Sequence, residues 1–221
     1  MSTLVEKREP DRYHHGDLRR TLIAIGVGVL AEEGAEALSL RSVARRAGVS
    51  HNAPYQHFAD KEALLAAIAE EGFRILSEQI DAGQSGLEPG RRETLVAAGQ
   101  SYVRFAIDHP AHFQMMFGPM AQSTYPDLAR AARASFERLV SIVDAGQRAG
   151  RITGGDPAQL ALAIWSMLHG LSSNLIAQKI PPDIEAGRPA ETLAAAQIDI
   201  LWDGLRDRSG AAGEPDPEPG P

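Results

Sequence analysis

From Leu18 onward, apolar side chains return every three or four residues in one segment after another, and no stretch alternates apolar with polar as a half-buried strand does. That periodicity confines the chain to an all-α fold. The first helix takes Asp17 as its cap, carries Leu18, Leu22, Ile25, Val29 and Leu30, and stops at Gly34. Ser39 caps a second, with Leu40, Val43, Ala44 and Ala47 on one face and Gly48 at its end. A third, short helix is expected from Ser50, although Pro54 sits about one turn inside it. Asp60 then caps a longer helix to about residue 81. After the Gly-rich "AGQSGLEPG", helices are expected at about 91–108, 110–117, 126–149, 157–178 and 190–206.

With 221 residues, 43% of them hydrophobic, the chain can bury a sizeable core without staples. It has no cysteine, which excludes disulfides, thiolate metal sites and cysteine nucleophiles. Residues 1–12 are expected to form a flexible arm and the Pro- and Gly-rich 207–221 a disordered tail. The mixed charges of "MSTLVEKREPDRYHHGD" resemble neither a signal nor a transit peptide, so a cytoplasmic location is expected. The segment 157–178 lacks Asp, Glu, Lys and Arg, but Gln159, Ser166, His169, Ser172, Ser173 and Asn174 interrupt it, so it is expected to lie between a core and a second subunit rather than in a membrane.

The net charge of −7 argues against a nucleic-acid partner until its distribution is considered. Residues 1–61 hold nine Lys or Arg against eight Asp or Glu, and within 39–61 Arg41, Arg45, Arg46 and Lys61 face only Asp60. An anion-binding surface belongs there. Two helices joined by "AGVS" have the helix-turn-helix pattern, in which the second enters the major groove by its first turn. Pro54 near that turn removes only an early backbone bond and tightens it. Lys7, Arg8 and Arg12 are candidates for a minor-groove arm, but Glu6, Glu9 and Asp11 offset their charge.

The stretch "LSLRSVARRAGVSHNAPYQHFADKEALLAAI" (38–68), with its Tyr-x-His-Phe group and Lys61, resembles the DNA-binding domain of the tetracycline-repressor (TetR) family. The distal "HPAHFQMMF" and "WSMLHG" resemble a subgroup whose regulatory domain carries a Trp-x-x-x-His-Gly signature. The resemblance implies a DNA-binding domain at 13–60, a ligand-binding and dimerisation domain at 61–206, and a homodimeric repressor of double-stranded operator DNA. Asn52 suits adenine, His51 a base edge and the Ala53 methyl thymine, with Ser50 opening the recognition element. Tyr55, His57 and Lys61 suit phosphate, and Arg41 a base or the backbone.

For a small-molecule effector the expected lining is Tyr102, Phe105, Phe113, Met116, Phe117, Phe136, Trp165, Leu168 and His169, with His169 as the polar handle. The dimer is expected to bury Ile164, Leu171 and Leu175 against Leu193, Ala196 and Ile200 of the partner. His109 and His112 are alternative metal ligands, but no carboxylate or thiolate pattern accompanies them, so neither metal nor cofactor is expected. "GVGVLA" lies inside a helix, and "GQSG" and "GLSSN" miss the nucleophile pattern, so no enzyme is expected. The alternatives are a metal-responsive repressor and an architectural DNA-binding protein without an effector.

Overall fold

Every regular element among the residues described by the computed structural model, 15–118 and 124–205, is helical. The expected arm and tail lie outside these residues. The elements are α1 (His15–Glu33), α2 (Leu40–Ala47), a 3₁₀ turn (Ala53–Gln56), α3 (Lys61–Gly83), α4 (Arg92–Asp108), α5 (Pro110–Met116), α6 (Pro126–Arg148), α7 (Pro157–Ile176), α8 (Pro182–Glu185) and α9 (Ala190–Leu205). The chain divides into two compact units between Ile68 and Ala69, inside α3.

In the first unit Leu22, Val29, Leu38, Val43, Leu64 and Ile68 are almost wholly buried. Gly26 lets α1 approach α3: a Cβ there would stand 3.0 Å from Ile68 Cδ1. The α2 helix has only eight residues, so its ends matter. Ser39 and Ser42 form a reciprocal capping box, each hydroxyl accepting the other's backbone N–H at 3.0 Å. At the other end Gly48, with φ of +68°, lets Val49 N–H reach Ala44 O at 3.1 Å and its own N–H reach Arg45 O. This closure aims the chain into the segment that follows.

That segment departs from expectation. No third α-helix forms: Ala53 N–H bonds Ser50 O at 3.0 Å, Tyr55 N–H bonds Asn52 O at 3.2 Å, and a single 3₁₀ turn follows. Pro54 is the reason, since it has no N–H to return to Ser50 O and open an α-helical ladder. Its ring is buried, and its carbonyl accepts from both His57 and Phe58. At the first helix, α1 begins at His15, so Asp17 lies inside it rather than capping it. Asp60 does cap α3, accepting from Ala63 N–H at 2.8 Å. The short α8, absent from the expected elements, follows Pro181 and buries none of its residues.

In the second unit α4 packs against α5, α6, α7 and α9. Phe105, Val103, Ile164 and Ile198 have no exposure at all. Gly99 marks the point where α4, α7 and α9 meet: a Cβ there would lie 3.2 Å from Ile198 and 3.3 Å from Leu168. The expectation for α7 needs one correction. Ile164 and Leu171 are buried within the protomer, as is Leu193 of α9, so these three cannot serve as the surface that meets a partner. The opposite faces carry Leu162, 42% exposed, and Ile200, 73% exposed. Among the described residues no helix is long and apolar enough to cross a membrane.

Candidate functional site

The exposed face of the first unit gathers the residues that follow the α2 cap. Ser50, His51, Asn52 and Tyr55 present themselves to solvent from consecutive tight turns, and Arg41 does so from the first turn of α2. Ala53, His57 and Lys61 are half-buried. The Nε2 of His57 is enclosed without a hydrogen-bond partner, so that atom does not face an incoming phosphate. Lys61 donates from Nζ to Ala35 O at 2.6 Å, closing the α1–α2 connection with the group expected on phosphate. Arg46 is held by Glu32 at 3.0 Å and by Glu33, and the Glu32 hydrogen bond pushes its guanidinium further up from an already high value. Of the basic cluster read from residues 39–61, Arg41 and Arg45 are the exposed cations without a side-chain carboxylate partner among the described residues.

The second unit holds a partly open cavity of about 270 Å³. Helix α3 supplies Phe73, Leu76 and Ile80, at i, i+3 and i+7 on one face; α4 supplies Ala98 and Tyr102; Phe117 follows α5. Helix α6 contributes Ala132, Ser135, Phe136, Leu139 and Ile142, and α7 closes the wall with Leu162, Trp165 and Leu168. Five of the expected residues therefore line it: Tyr102, Phe117, Phe136, Trp165 and Leu168. Phe105, Phe113, Met116 and His169 do not. Phe105 and Met116 are 0% and 2% exposed and serve the core, while Phe113 stacks behind the wall on His169 at 5.1 Å. Sequence reasoning misses the contributions of α3 and most of α6. Their stripes read as core, and periodicity alone does not say which stripes face a void.

Trp165, Tyr102 and His169 form one chain of hydrogen bonds. The indole Nε1 only donates, so it gives to Tyr102 Oη at 3.2 Å, and the same oxygen is hydrogen-bonded to His169 Nδ1 at 3.0 Å. Burial pushes the phenol far above its ordinary range and holds the imidazole below its own, so both are neutral at pH 7. His169 is thus a clamp on the wall rather than the handle in the cavity that the sequence suggested.

Behind the same wall, His112 Nε2 meets Glu71 at 3.3 Å, and its ring lies 5.7 Å from that of His109. Burial lowers His112 more than Glu71 raises it, with His109 and Arg74 adding to the lowering. Among the described residues no three His, Asp or Glu side chains gather closely enough to hold a metal ion. With both His112 and His169 depressed below the ordinary 6.5, the unfolded chain binds protons more readily than the folded one. Stability from these groups is therefore complete above about pH 6.5 and falls as pH drops below it. Melting temperature should decline between pH 7 and 5, and His169→Gln should flatten that decline; an unchanged slope in the variant would remove His169 from the account.

The amino-terminal residues 22–68 match the model of bacterial regulatory proteins of the tetR family, and 95–201 match the tetracyclin repressor-like C-terminal domain. The chain belongs to the TetR family. It is therefore a DNA-binding transcriptional regulator. Among TetR relatives, the HTH-type transcriptional regulator Rv1816 of Mycobacterium tuberculosis is 21% identical over 190 residues, 83% of this chain and 75% of that one. A protein of unknown function from Rhodococcus sp. RHA1 is 35% identical, with 90% of this chain and 100% of that one covered and a TM-score of 0.78. The fatty acid degradation regulator FadR of Bacillus halodurans shares the fold at 17% identity, with 92% and 100% covered and a TM-score of 0.70.

Proposed function

We propose that this TetR-family protein is a homodimeric repressor released from its operator by a small, mainly apolar organic effector, and that it belongs to the subgroup marked by Trp165, His169 and Gly170. The observation that carries the reading is the cavity, whose described lining holds no Asp, Glu, Lys, Arg or His. Such a wall desolvates an apolar guest at little cost and gives a bare cation no ligands. The Trp165–Tyr102–His169 chain supplies a physical reason for the signature: residues four apart on one helix face both reach the same phenol.

On this reading Arg41, Ser50, His51, Asn52 and Tyr55 make the direct contacts to DNA, and Ala53, His57 and Lys61 set the turn that presents them. Release follows from α3, which lines the cavity with Phe73, Leu76 and Ile80 and continues into the DNA-binding unit through Leu64 and Ile68. An operator recovered by genomic footprinting provides the test. Hydrophobic compounds should displace the protein from it and divalent metals should not, and Asn52→Ala should relax base preference at particular positions by about 1–3 kcal/mol. Release by metals alone would replace the organic effector with the metal reading, and an unaltered base preference would remove Asn52 from the contact set.

A further inference from the structure

The polar atoms around the cavity are few, and most are already engaged. Tyr102 Oη accepts from Trp165 and is hydrogen-bonded to His169, and Trp165 Nε1 has no second hydrogen to give. The remaining polar side chain in the described lining is Ser135, on the middle of α6. Helical serines commonly return their hydroxyl to the carbonyl four residues back, as Ser141, Ser166 and Ser172 do at 2.8–2.9 Å. Ser135 makes no such bond, and its hydroxyl has no partner among the described residues. It is both donor and acceptor, and it is uncommitted.

Size and charge narrow the guest further. A dry cavity of roughly 150 Å³ accommodates benzene, so one of about 270 Å³ has room for about ten non-hydrogen atoms. A carboxylate or phosphate placed against this apolar wall would give up part of its hydration with no cation in the described lining to meet it, and the one ionisable member, Tyr102, stays protonated.

We infer that the effector is an uncharged molecule of about ten non-hydrogen atoms carrying one hydrogen-bonding oxygen, and that Ser135 is the residue that holds this oxygen. The inference rests on the cavity being the effector site. It sets this protein apart from regulators that answer to ionised acids, and makes Ser135 a determinant of specificity rather than of stability.

The test uses the full-length protein and three matched probes in calorimetric titration: 4-phenylbutan-1-ol, its carboxylate 4-phenylbutanoate, and the hydrocarbon butylbenzene. The alcohol should bind the wild type about 100-fold more tightly than the carboxylate. Ser135→Ala should weaken the alcohol about five-fold and leave butylbenzene unchanged. A carboxylate within a few-fold of the alcohol overturns the uncharged effector, and equal effects of Ser135→Ala on alcohol and hydrocarbon overturn the role of Ser135. Leu139→Trp, which fills the cavity, should abolish binding of both neutral probes. If they bind that variant as they bind the wild type, or bind neither protein, the effector-site reading fails and this inference fails with it.

Discussion

Replacing Ile200 by Asp should produce a folded monomer whose operator affinity is lower by roughly 10²–10⁴-fold. Ile200 is 73% exposed on α9, the most exposed of the large apolar side chains among the described residues, and Ala196 one turn earlier is exposed beside it. The opposite face of α9 is satisfied inside the protomer by Leu193, Ala194 and Ile198. In the proposed homodimer, an apolar side chain so placed on a helix that is already packed is where a second copy of the chain is expected to sit. Charge there costs the monomer nothing but is unpaired and buried in the dimer. The contrast is Leu171→Asp on α7: Leu171 is 6% exposed, so that substitution buries a charge within the protomer and should destabilise the fold by about 3–5 kcal/mol. Sedimentation and circular dichroism separate the two. A dimeric Ile200→Asp protein would move the interface away from α9.

Tyr102→Phe should destabilise the protein by about 2–4 kcal/mol although it removes one atom. Tyr102 is buried, and its hydroxyl is the shared partner of Trp165 Nε1 and His169 Nδ1, so the substitution deprives two polar atoms of their partner at once. Each orphan costs roughly 1–3 kcal/mol where water does not reach it. Trp165→Phe removes only the donor and should cost less at that bond, and a Trp165→Phe, Tyr102→Phe double variant should show strong non-additivity in urea denaturation. Additive losses would mean that the three side chains do not act as one unit. The orphaned indole N–H would also face the cavity, so Tyr102→Phe should admit ligands with a second oxygen.

Much of this protein is legible in its amino-acid sequence alone. The helical periods, the Ser39 and Asp60 caps and the Gly48 stop depend on residues within a few positions of one another, so local spacing is sufficient to read them. The family resemblance likewise rests on a contiguous stretch, 38–68, and that stretch forms the exposed turns of the first unit. Even Pro54 announces that the third helix is irregular, although its local signal, a tightened turn, understates the outcome that no α-helix forms.

What tertiary structure decided was which of several equivalent stripes faced which neighbour. The sequence of α7 offers Ile164 and Leu171 as a stripe for a partner, yet packing against α4 and α9 buries both within the protomer and leaves Leu162 at the cavity and the surface. The same holds for the polar residues. Nothing local tells that Lys61 closes a loop through Ala35 O, that His169 bonds a phenol 67 positions away, or that Ser135 lines a cavity. Helical period is set by backbone geometry shared by every residue, whereas a partner is set by the shape of elements distant in the chain. The first is written in spacing and the second only in the packed whole.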